Sequence, residues 1–167
     1  MKRDSKRRHV FISHHHKDDA EVDKLMRLLS RKGYDIRNSS IRAGPANQAR
    51  LDKGLVKPEV IRRLLRMKIS WAGTVVVLVG RETHSRRWVD WEIKQAQKQN
   101  KRIVGVWAQG STEADLPKNL EKYADAMVGW KSDRIIDAID GKLDNDDWQK
   151  PDGTAWPKRD ITRVKCQ

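Results

Sequence analysis

Cysteine is almost absent from this chain: Cys166 is the sole example among 167 residues. No intrachain disulfide and no cysteine-based metal cluster can form, which suits a reducing compartment. Long apolar runs are missing as well. The longest, residues 74–79 (TVVVLV), is far too short to span a bilayer. The basic start (Lys2, Arg3, Lys6, Arg7, Arg8) is followed only by Val10, Phe11 and Ile12 before Ser13 and three histidines, too little for the apolar part of a secretion signal. A cytoplasmic protein with no membrane contact is expected. Basic runs interleaved with stacking aromatics are also lacking, so no specific nucleic-acid partner is expected.

What the chain does have is charge. Its 36 Lys and Arg against 23 Asp and Glu give a formal +13, a field that attracts nucleotides and other anions without choosing among them. The cations are spread along helix faces and in the basic start, as on a solvated surface with a terminal arm. Hydrophobic residues make up 37% of the chain, enough for one modest core, and the length suits a single domain.

Residues 9–13 (HVFIS) read as a short buried strand with a polar exit. Asp18 and Glu21 have the form of an acidic capping pair, and Val22, Leu25, Met26 and Leu29 then recur at helical spacing until Gly33. A second strand is expected at 34–37 (YDIR), followed by an irregular connection over 38–57. Pro58 opens a helix whose apolar stripe is read as Val60, Ile61, Leu64 and Leu65, continuing toward Ile69 and Trp71. The run 74–79 has the character of a central strand.

A helix from about Trp88 carries Val89, Ile93 and Ala96 on one face, and 102–107 (RIVGVW) supplies the fourth strand. A short helix at 117–123, a strand at 126–129 and a final helix around Ile135, Ile136, Ala138 and Ile139, closed by Gly141, complete the series. Strict alternation predicts an α/β fold: a three-layer, flavodoxin-like, five-stranded parallel sheet with helices on both faces. The expected organisation is a basic arm over 1–8, one domain over 9–141, and a polar tail over 142–167. Trp148 and Trp156 suggest that the tail packs on the domain, the alternative being a partly disordered, partner-binding tail. In such sheets ligands bind outside the carboxyl ends of the strands, so the loops after the first three strands hold the candidates.

Trp88 and Glu92 are four residues apart and share a helix face, displaced from the Val89, Ile93 and Ala96 stripe. Glu92 lacks a cation at helical spacing: its neighbours at three and four residues are Trp88, Val89, Gln95 and Ala96. A plain surface carboxylate would ordinarily have one. The three consecutive histidines, 14 to 16, point in different directions and lack a third element at ligand spacing, so no metal is expected there.

The segment 10–18 (VFISHHHKD), the strand at 75–80 and the run 85–92 (SRRWVDWE) together resemble TIR domains, in which a V-F-I-S strand and a later S-x-x-W-x-x-x-E segment recur. Over residues 10–141 the chain resembles more closely the bacterial TIR-like proteins of Thoeris antiphage defence. The resemblance implies an NAD glycohydrolase or ADP-ribosyl cyclase type of enzyme. It would break the nicotinamide–ribose bond, with Glu92 as catalytic carboxylate and NAD as substrate rather than cofactor. The product would be a cyclic or conjugated ADP-ribose derivative, read by a separate effector protein.

By the same resemblance, Ser13 and His14 line the nucleotide pocket, Asn38, Ser39 and Arg42 border it, and Trp88 packs beside a ring of the substrate. The loop departs from the family in lacking a tyrosine or phenylalanine near His14. The alternative is a non-catalytic TIR-like interaction module that works through self-association or partner capture. A phosphoacceptor receiver has the same topology, but its acidic residues are missing: the third strand ends in Val79 and Gly80.

Overall fold

The computed structural model describes residues 8–15, 18–38, 53–54, 57–81, 83 and 86–157. Five parallel strands, β1 (His9–Ser13), β2 (Asp35–Asn38), β3 (Thr74–Val79), β4 (Arg102–Trp107) and β5 (Ala126–Val128), form one sheet in the order β2-β1-β3-β4-β5. Between and after them run α1 (Asp19–Arg31), α2 (Pro58–Trp71), α3 (Arg87–Lys98), α4 (Lys118–Tyr123) and α5 (Ser132–Ile139). The expected five-stranded, three-layer α/β fold is present. Among the described residues, no helix is long and apolar enough to cross a membrane.

The alternation of strand side chains divides the core in two. Val10, Ile12, Val76, Leu78, Val104 and Val106 face Val22, Leu25 and Leu29 of α1 and Ile135, Ala138 and Ile139 of α5. Phe11, Val75, Val77, Val79, Ile103 and Trp107 face α2, α3 and α4 through Ile61, Leu65, Ile69, Val89, Ile93, Ala96 and Leu120. β3 is buried along its whole length, as an uninterrupted apolar run on a central strand requires.

Three local expectations are corrected. β2 begins one residue later than expected, because Tyr34 belongs to the end of α1. Gly33 adopts φ +84°, and the Tyr34 N–H returns to the Leu29 carbonyl at 3.1 Å, closing a Schellman cap. At the other end of α1, the Asp18 side chain makes no capping hydrogen bond. In α2 the buried stripe is Ile61, Leu65 and Ile69, whereas Val60 and Leu64 are each 38% exposed and Met67 63%. The two apolar rows lie side by side on the helix, and only one meets the sheet.

Residues 142–157 fold back over β4 and β5. Trp148 is 2% exposed, the Gln149 N–H donates to the Met127 carbonyl at 2.8 Å, and the Trp107 indole N–H donates to the Gln149 carbonyl at 2.8 Å. Trp156 stacks on Trp107 and meets Trp148 edge-on. The turn is held by the Gln149–Ala155 bridge.

Candidate active site at the β1–β3 switch point

In this strand order the chain leaves β1 toward β2 on one side, and β3 to β5 build outward on the other. The carboxyl ends of β1 and β3 therefore flank a crevice, the usual ligand position in doubly wound sheets. The side chains at that crevice are polar.

Ser13 is the last residue of β1. Strand alternation places it on the same face as Phe11, toward α2 and α3. α3 packs across β1, β3 and β4, which brings Glu92 to the strand end. The Ser13 hydroxyl donates to Glu92 Oε1 at 2.7 Å, and both residues are fully buried. Glu92 thus lies deeper than its displacement from the Val89, Ile93 and Ala96 stripe had suggested, for α3 buries it together with those residues.

A second pair stands at the adjoining strand end. Asn38, the last residue of β2, lies in register with Ile12, next to Ser13. Its carbonyl accepts a hydrogen bond from Lys68 Nζ of α2 at 3.0 Å, while its amide meets Met26 Sδ at 3.2 Å. Burial holds the Lys68 ammonium below its ordinary pKa, the like charge of Arg37 adds to that, and the negative charge of Glu92 opposes it. Lys68 and Glu92 are therefore electrostatic neighbours from different helices.

His14 and His15 are buried just beyond Ser13. Asp18 lies over the end of β3: a Cβ on Gly80 would stand 2.3 Å from its Oδ1, so that approach requires glycine. The Gly80 N–H donates to the buried Thr83 hydroxyl at 2.9 Å, shaping the exit of β3. Among the described residues, no group of three or more His, Cys, Asp or Glu is arranged to hold a metal ion.

Of the residues picked out from sequence, the structure brings Ser13 and Glu92 into contact and places Asn38 beside them. His14 is buried at the same strand end. Trp88 packs edge-on against Trp91, with the Arg62 guanidinium 5.8 Å from its ring, along the contact between α2 and α3. Ser39 and Arg42 lie outside the described residues. Lys68 was not foreseen. The available signal was its position three residues after Leu65 and seven after Ile61, within the buried helical stripe, where a cation is out of place.

A buried carboxylate, held by a hydroxyl at the switch point of a flavodoxin-like sheet, marks the candidate site of this α/β domain. The family model of the Thoeris protein ThsB TIR-like domain matches residues 11–113, and the chain belongs to that family. Among solved structures, the Clostridium botulinum CMP N-glycosidase BcmB is similar over 80% of this chain and 99% of its own, with 16% identity and a TM-score of 0.49. No curated protein matches the chain.

Proposed function

We propose that this chain cleaves the nicotinamide–ribose bond of NAD, with Glu92 as the catalytic carboxylate, and that the ADP-ribosyl product serves as a signal in antiphage defence. The observation that carries the reading is the buried Ser13–Glu92 pair at the switch point, in a chain of the Thoeris TIR-like family.

The chemistry asks for little more than a placed negative charge. Nicotinamide in NAD is already cationic, so it departs with the electron pair of the C1′–N bond as a neutral molecule and needs no general acid. Positive charge then develops on the ribose ring oxygen and C1′, and a carboxylate in a water-poor site stabilises it strongly. Glu92 is fully buried, so a ribose reaches it by displacing what covers it. A ribose hydroxyl can take over the hydrogen bond that Ser13 now makes. Water as acceptor gives ADP-ribose, an internal nucleophile gives a cyclic product, and a second molecule gives a conjugate. Asn38 and His14, with Ser39, Arg42 and Trp88, are proposed to surround the dinucleotide, and a separate effector is proposed to read the product. The reaction uses NAD as substrate and no cofactor, and the setting is the cytoplasm.

The test is mass spectrometry of the purified chain with NAD, alone and with lysate of phage-infected cells. Nicotinamide release is expected, and Glu92→Gln should lower it at least about a thousandfold while the fold is retained. Release that survives the substitution removes Glu92 from the role. The non-catalytic reading has one observation in its favour: the exposed row Val60, Leu64 and Met67 on α2, a surface suited to a partner. It requires that wild type release no nicotinamide under either condition.

A further inference from the structure

Lys68 is a cation on the sheet-facing side of a helix, half-buried rather than exposed. It is partly withdrawn from water and has the like charge of Arg37 nearby. An apolar side chain of the same length would fill the position without withdrawing a charge from water. Its charge has one attractive neighbour of note, Glu92, and its Nζ is fixed by the Asn38 carbonyl at the strand end beside Ser13.

We propose that Lys68 is a positioning residue of this site: tethered to the Asn38 carbonyl, its ammonium keeps the Glu92 carboxylate ionised and fixed for its work. The proposal rests on Glu92 being the catalytic carboxylate. Two neighbouring strand ends set the geometry. β1 presents Ser13 to one carboxylate oxygen, and β2 presents the carbonyl that holds the cation on the same side of the sheet's carboxyl edge. Burial by itself favours the protonated form of a carboxylate, and a nearby ammonium opposes that.

Other titratable groups gather at this end of the sheet. His14 and His15 follow β1, Asp18 lies at the start of α1 against Gly80, and Arg37 projects from β2. They are common to wild type and to Lys68 variants, so a difference between the two isolates the lysine.

The experiment titrates Glu92 by carbon-13 NMR in protein labelled at the glutamate carboxyl, with its resonance assigned by loss in Glu92→Gln. Wild type, Lys68→Met and Lys68→Arg are compared, and nicotinamide release is measured on the same samples. In Lys68→Met the Glu92 midpoint should move to higher pH. At neutral pH kcat should fall about tenfold with KM changed less than twofold, and the thermal midpoint should be unchanged or raised. Lys68→Arg should restore most of kcat and the wild-type midpoint. A Glu92 midpoint that is the same in Lys68→Met overturns the proposal, as does a loss of activity that merely follows a lowered thermal midpoint. The NMR titration reports the coupling even if wild type releases no nicotinamide, so failure of the NAD reading and failure of this proposal are separately visible.

Discussion

The two sides of the sheet's carboxyl edge differ in what covers them. At β1, β2 and β3 the strand ends carry Ser13, Asn38 and Gly80, with Glu92, Lys68 and Asp18 brought in from helices. At β4 and β5 the corresponding region is covered by residues 142–157, with Trp148 inserted into the core and Trp156 stacked on Trp107. One side holds ionisable groups away from water at some cost. The other spends three tryptophans on closing an edge. The family match covers residues 11–113, from β1 through β4, and stops before α4, β5 and the Trp-rich segment. The first side is the usual ligand position in doubly wound sheets, and the second is closed by the Trp-rich segment.

Chemistry controlled from the Trp-rich side would overturn this division. Trp148→Ala removes one of the largest fully buried side chains and leaves Trp156 without its edge-on partner. A loss of about 3–5 kcal/mol in unfolding free energy is expected, read by denaturant titration. Below the unfolding transition, kcat per folded molecule should stay within about twofold of wild type. A large fall in kcat in the folded protein would show that the two sides are coupled.

The contrast also explains what could be read from sequence. Strand alternation and the Trp88–Glu92 spacing are local, and they located β1, β3, α3 and the carboxylate to within a residue or so. Ser13 was legible as a pocket residue through the resemblance, but its hydrogen bond to Glu92 was not, because it joins segments 79 residues apart. Nor was Lys68, because its role depends on how α2 lies against the end of β2, a relation between segments 30 residues apart. The same limit misplaced Val60 and Leu64: two apolar rows on α2 are equivalent in spacing, and tertiary packing buries only one. Tyr34 was assigned to β2 because its backbone cap and its distant hydroxyl partner are both invisible to periodicity.

A smaller change sharpens the description of the site side. Ser13→Ala deletes the 2.7 Å hydrogen bond to Glu92 and leaves the fold and the Lys68 tether in place. If the hydroxyl orients the carboxylate, kcat/KM for nicotinamide release should fall about tenfold, equivalent to about 1.4 kcal/mol. Unchanged kinetics would mean that Ser13 only fills the position until substrate arrives.

The smallest expected effect lies away from both carboxyl ends and serves as their control. The Tyr34 hydroxyl, ahead of β2, donates to Asp140 Oδ1 at 2.5 Å and ties that strand to the end of α5. Burial raises the phenol above its ordinary pKa of 10.0, with the Asp140 hydrogen bond and the Asp140 charge adding to it. Tyr34→Phe should cost about 1 kcal/mol at neutral pH with nicotinamide release unchanged. The sign of the pH dependence follows from the raised value. Below pH 10 the phenol is protonated in folded and unfolded chains alike, so the stabilisation is fully present. Above it the unfolded chain loses the proton first, and the stabilisation is lost as pH rises through the folded value. Chemical denaturation of wild type and Tyr34→Phe should therefore give a constant gap up to about pH 10 that narrows above it. A gap that widens in alkali would mean that the hydroxyl is not held as a donor to Asp140.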